Sequence, residues 1–88
     1  MQPTIGRIVH YTLNAGDAQI IESRRAQSDR VGNHVEAGQV YPALVVRVFD
    51  PSAPTVNLQV YLDGDDSYWA TSRTEGDTPG SWSWPPRV

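Results

Sequence analysis

Apolar and polar residues alternate most strictly between Thr55 and Leu62. Val56, Leu58, Val60 and Leu62 fall on one side, and Asn57, Gln59 and Tyr61 on the other. Period two marks a strand with one face on a core. The run before it, Tyr41–Phe49, is nearly continuous in apolar residues through Ala43, Leu44, Val45 and Val46. It is expected to be a central strand buried on both faces, with Arg47 reaching solvent or a partner. Asp50-Pro51-Ser52-Ala53-Pro54 separates the two runs as a turn, which predicts an antiparallel hairpin. Asp63-Gly64-Asp65-Asp66 predicts a second tight turn, its Asp-Gly pair favouring positive φ. A fourth strand follows over Ser67–Arg73. Glu75 to Gly80 turns the chain again into a closing strand that carries Trp82 and Trp84 on one face. Pro85 and Pro86 lack backbone donors and mark that strand as an edge. The first strand is expected over Ile5–Thr12, with Ile5, Arg7, Val9 and Tyr11 on one face and Gly6, Ile8, His10 and Thr12 on the other.

The segment from Leu13 to Gln39 breaks this pattern. Leu13-Asn14-Ala15-Gly16-Asp17 is turn-like, and Ala18 to Ala26 suits a short helix or an irregular strand. Gln27 to Gly38 is polar, with Gly32, Asn33 and Gly38. A flexible insertion over about 14–39, holding a short ordered piece, is therefore expected. The predicted fold is mostly β: a small antiparallel barrel of about five strands, SH3-like or OB-like, with a long loop after the first strand, forming a single domain over residues 1–88.

Composition narrows the chemistry. A chain of 88 residues has a small core, which favours self-association, so a homo-oligomer is expected, with the 13–39 loop and the final strand as interfaces. There is no Cys, hence no disulfide and no thiolate metal site. No apolar run reaches membrane-spanning length, and Met1-Gln2-Pro3-Thr4 lacks the features of a signal peptide, so the expected location is cytoplasmic. The net charge of −3 argues against binding of long nucleic acid. All the basic residues are Arg, which suits GC-rich coding and equally suits planar recognition of anions. His10 and His34 share no strand face or helix turn, and the Asp-Gly turn accounts for Asp63, Asp65 and Asp66 without a metal. No nucleophile elbow or phosphate-binding loop is present. The expectation is a protein that is not an enzyme and uses no cofactor.

The aromatic residues form the strongest constellation. Trp69, Trp82 and Trp84, with Tyr11, Tyr61 and Tyr68, either close the ends of a small barrel or line a cleft together with Arg. In the second reading the ligand-binding residues are Arg7, Tyr11, Arg47, Trp69, Arg73, Trp82 and Trp84: indoles for stacking, guanidinium groups for an anion. Trp82 is expected to be the more buried of the terminal pair and Trp84 the more available. Arg7 rather than His10 is expected beside them.

Gly6-Arg7-Ile8-Val9-His10-Tyr11 and Pro79-Gly80-Ser81-Trp82-Ser83-Trp84-Pro85, with Pro42–Val48 and Val56–Val60 between them, carry a resemblance. The chain resembles a group of small, mostly uncharacterised proteins of tailed phages and prophages of actinobacteria, whose ends typically read Gly-Ser/Thr-Trp-His-Trp-Pro. Ser83 stands where that motif has His. The resemblance implies a phage origin and an infected bacterial host. Together with the aromatic and Arg residues, it leads to the expectation of a non-enzymatic phage protein binding a small ligand, in its sharpest form a sponge for a cyclic nucleotide or related signal of host antiviral defence. The alternative is a phage structural or protein-interaction module, either a virion component or a host-factor binder.

Overall fold

The computed structural model describes residues 2–87. Its elements run β1 (Ile8–Thr12), α1 (Ala15–Ser28), β2 (Val40–Val48), β3 (Thr55–Tyr61), β4 (Ser67–Thr74) and β5 (Trp82–Ser83). The strands form one antiparallel sheet in the order β4-β3-β2-β1-β5. The chain is thus mostly β, with five antiparallel strands in a sheet that curls into a half-barrel. The curl brings its two ends together: the Gly76 amide donates to the Trp82 carbonyl at 2.9 Å, just beyond β4. The predicted small barrel-like fold and its five strands agree with this architecture.

The inner face follows the alternation read from sequence. Val9, Tyr11, Ala43, Val45, Val56, Leu58, Val60, Tyr68 and Ala70 are buried there, joined by Trp82. Burial of this kind contributes about 1.5–3 kcal/mol for each large side chain. The first strand begins at Ile8 rather than Ile5, because Gly6 takes φ +91 and bends the chain before it.

Three expectations need correction. β2 is not buried on both faces. Ala43 and Val45 are buried, Leu44 and Val46 only half so, and Val40 is exposed, because nothing among the described residues covers the outer side. The Asp63-Gly64 turn does not use positive φ at Gly64. The glycine is needed for close approach instead: a Cβ there would lie 2.6 Å from Gly32 Cα and from the Val31 carbonyl oxygen. The third correction concerns the 14–39 segment expected as a long loop. It contains the 14-residue helix α1 and a return strap bonded to the β3–β4 turn.

α1 is nucleated locally. The Asn14 side chain accepts from the Asp17 amide at 2.7 Å, and Asp17 Oδ2 accepts from the Asn14 amide at 3.0 Å, a reciprocal capping box. Ala18 and Ile21 pack into the core cluster. Past the helix the strap runs along the hairpin. The Asn33 amide donates to the Asp63 carbonyl and the Asp65 amide to the Val31 carbonyl, each at 2.8 Å. At the base, the Leu13 amide donates to the Gln39 carbonyl and the Gly38 amide to the Leu13 carbonyl. The excursion therefore leaves and rejoins the sheet at one place.

Candidate functional site

The residues singled out for binding separate into distinct places. Arg7, Trp82 and Trp84 come together at the β1–β5 end of the sheet. Trp82 is fully buried, and its indole N–H donates to the Pro54 carbonyl at 2.9 Å. Trp84 is half-buried and meets Trp82 edge-to-face, with ring centroids 5.3 Å apart. The Arg7 guanidinium lies over the Trp84 ring, 5.4 Å from its centroid. The arrangement is a cation on an indole that is itself held upright by a buried indole, and each contact is favourable on its own. The unequal burial of the two indoles follows from position: Trp82 pairs with Tyr11 within the sheet, whereas Trp84 lies past the end of β5.

Tyr11 and Arg73 belong to a second cluster, centred on Asp17. This carboxylate is 2% exposed and accepts four hydrogen bonds. They come from the Tyr11 hydroxyl at 2.5 Å, the Tyr68 hydroxyl at 2.7 Å, Arg73 Nη2 at 2.8 Å and the Asn14 amide at 3.0 Å. The Arg73 guanidinium also lies over the Tyr11 ring, 5.7 Å from its centroid. Burial, reinforced by the hydrogen bonds to Asp17, pushes both the Tyr11 and Tyr68 phenols above the ordinary tyrosine range. The carboxylate's capacity is taken up by the fold, so this cluster ties α1 to the sheet.

A β-bulge makes that tie possible. Leu58 pairs with Ala70 but Val56 pairs with Arg73, so two residues of β4 oppose Asn57 alone. Ser72 takes φ +55, and its amide donates to Asn57 Oδ1 at 2.7 Å. The extra residue shifts the alternation by one and turns Arg73 inward, out of phase with Tyr68 and Ala70.

Arg47 and Trp69 stand apart from both clusters. Arg47 is exposed and lies over the Phe49 ring, 5.4 Å from its centroid. Trp69 is 58% exposed on the outer face of the sheet.

Sequence reading missed a third group. Arg25, on α1, holds Asp66 through two bonds, Nε to Oδ2 at 2.8 Å and Nη2 to Oδ1 at 3.0 Å, and donates from Nη1 to the Asn33 carbonyl. The guanidinium hydrogen bonds hold the Asp66 carboxyl below its usual range. The spacing of Asp17, Ala18, Ile21 and Arg25, all buried on one helix face, was the available signal. Beside this pair a cleft of about 300 Å³ opens between α1 and the β3–β4 hairpin, floored by Ile21 and Tyr68 and rimmed by Arg24, Arg30, Asp65 and Asp66. The rim carries both signs of charge and so offers no clear preference for an anion.

Compared with protein-family models, curated proteins and solved structures, the chain matches none. Among the described residues, no helix is long and apolar enough to cross a membrane.

Proposed function

We propose that this is a non-enzymatic phage protein that captures a small anionic ligand bearing a flat ring, in its sharpest form a nucleotide signal of host antiviral defence. The observation that carries the reading is the Arg7 guanidinium over the half-buried Trp84 ring. An indole face stacks on any planar base, a contact worth roughly 1–3 kcal/mol. A guanidinium has five donors and serves a phosphate while keeping its neighbours. Trp82 sets the orientation of Trp84 before a ligand arrives, which lowers the ordering cost of binding. The acidic balance of the whole chain does not oppose this, since a small ligand responds to the local field.

The test is a thermal-shift screen with cyclic dinucleotides, cyclic trinucleotides and ADP-ribose derivatives. A cognate ligand at a hundred times its Kd adds about 2.7 kcal/mol to stability and raises the melting temperature. No shift with any of these classes sinks the nucleotide reading.

The exposed Trp69 favours a second reading, a phage structural or protein-interaction module, because large exposed aromatics commonly anchor interfaces. Co-purification of the chain with virions supports that reading, and its confinement to the unassembled fraction opposes it.

A further inference from the structure

The cleft between α1 and the β3–β4 hairpin belongs to neither aromatic cluster. Ile21, Arg24 and Ser28 are spaced three and four apart, so they share one helix face, and all three line it. Asp29 ends α1 at φ 55, and the chain turns there, so that Arg30 also reaches the rim. Asp65 and Ser67 stand on the hairpin side.

Much of this lining is fixed by the fold. Tyr68, in the floor, is buried, and its hydroxyl donates to Asp17. The Arg24 guanidinium lies over the Tyr68 ring, 5.9 Å from its centroid. Stacking occupies the face of a guanidinium and leaves its in-plane donors for another partner. Asp65 Oδ1 accepts from the Val31 amide at 3.0 Å, which leaves most of that carboxylate's acceptor capacity. Asp66 is engaged by Arg25 through both oxygens. Among the described residues, neither Arg24 nor Arg30 is hydrogen-bonded to a carboxylate.

We infer that this cleft binds a small acidic amino acid, a molecule with two carboxylates and one ammonium such as glutamate or aspartate. The inference does not rest on the Arg7–Trp84 platform. The signs on the rim choose the ligand. Arg25 and Asp66 neutralise each other, so Arg24, Arg30 and Asp65 remain, two guanidinium groups against one carboxylate. A simple anion meets Asp65 as well as the arginines, and a simple cation meets the arginines as well as Asp65. A ligand with two carboxylates and one ammonium matches the three charges one for one. Each guanidinium presents a planar fork to a carboxylate, and Asp65 accepts from the ammonium. The Ser28 and Ser67 hydroxyls add donors and acceptors to the walls. Size agrees, because a cleft of about 300 Å³ lies at the small end of ligand sites.

The experiment follows backbone amide signals of the isotope-labelled whole chain by NMR. L-glutamate or L-aspartate is added to about 10 mM, with sodium chloride of equal ionic strength as the reference. The expected result is a saturable shift of amides in α1 from Ile21 onward and in the 65–68 stretch. Glutamine lacks the second carboxylate and N-acetylglutamate lacks the ammonium, and each should bind at least about tenfold more weakly than glutamate. Arg24→Gln, Arg30→Gln and Asp65→Asn should each weaken glutamate by a similar factor. Asn at position 65 keeps an oxygen for the Val31 amide, and Arg30→Gln keeps the test valid if Arg24→Gln disturbs Tyr68. Circular dichroism verifies that each variant folds. Absence of a saturable shift at the cleft with either amino acid overturns the inference. So does equal binding of glutamine or N-acetylglutamate, or undiminished glutamate binding by the folded variants.

Discussion

Arg73 Nη2 donates to Asp17 Oδ1 at 2.8 Å, across 56 positions of sequence. The contact joins the far end of β4 to the first turn of α1, and it exists because the β4 bulge turns Arg73 inward. Two phenols and a capping amide complete the carboxylate's shell. A buried charge is tolerated only with such company.

Asp17→Ala is therefore expected to cost about 3–5 kcal/mol, since it strands the Arg73 guanidinium and leaves two buried hydroxyls without their acceptor. Tyr68→Phe removes the hydroxyl's bond to Asp17 and the long contact it accepts from Arg73 Nη2 at 3.5 Å, and should cost about 1 kcal/mol. Urea unfolding of the two variants against the unmodified chain measures both. Equal, small losses would show that Asp17 does not anchor the helix.

Alkaline pH should unfold the protein through its tyrosines. Tyr11, Tyr68 and Tyr41 all have pKa values raised above the ordinary 10.0, chiefly by burial. The unfolded chain ionises near 10, so the stability from these groups is complete below that value and falls as pH rises above it. Phenolate absorbance should rise together with loss of the folded circular-dichroism signal. Ionisation of all the tyrosines in an intact fold would contradict this.

Acid acts on the Arg25–Asp66 pair in the opposite sense. The folded Asp66 carboxyl titrates below its ordinary 3.8, so its contribution is present above about that pH and is lost as pH falls through the lowered value. The stability difference between the unmodified chain and Arg25→Met should shrink below pH 4. A difference that stays constant between pH 6 and pH 3 would mean the pair contributes no linked stability.

The strands were legible because their chemistry is local. Val56, Leu58, Val60 and Leu62 alternate as a half-buried strand must, and Pro51, Pro54, Gly76 and Pro79 punctuate the runs. The helix was legible only as one of two alternatives over Ala18–Ala26, because two of its four buried residues are charged. Asp17 and Arg25 occupy positions where an amphipathic pattern calls for apolar side chains, and only their partners, Tyr11, Tyr68 and Arg73 for one and Asp66 for the other, make that burial stable. Tyr11 lies six positions from Asp17, but Asp66, Tyr68 and Arg73 lie 41 to 56 positions from the residues they hold. The β4 bulge was hidden for a related reason: Thr71-Ser72 has no residue that advertises φ +55. Of the candidate site, the association of Arg7 with the terminal indoles and the deeper burial of Trp82 agree with the sequence reading; the engagement of Tyr11 and Arg73 by Asp17 came only with the fold.

The Pro79-Gly80 turn touches the helix start. Gly80 takes φ +90, its amide donates to the Thr12 carbonyl at 2.7 Å, and a Cβ on it would lie 2.9 Å from Asn14 Nδ2. Gly80→Ala should destabilise by more than about 1 kcal/mol, through strained backbone and a displaced N-cap. Asn14→Ala should cost about 1 kcal/mol. Because the two changes act on the same contact, the double variant should lose less than the sum, as a thermal double-mutant cycle will show. Full additivity would separate the turn from the cap.

The most direct measurement is the ligand-induced rise in melting temperature for the unmodified chain, Arg7→Ala, Trp84→Ala and Trp82→Ala, using whichever compound of the nucleotide panel stabilises the unmodified protein. Trp82→Ala should lose about 3–5 kcal/mol of stability, because it empties a fully buried site. Arg7→Ala and Trp84→Ala should keep the fold and lose the ligand-induced rise. If both unfold, or if both remain folded and still respond to the ligand as the unmodified chain does, the Arg7–Trp84 pair is not the binding platform.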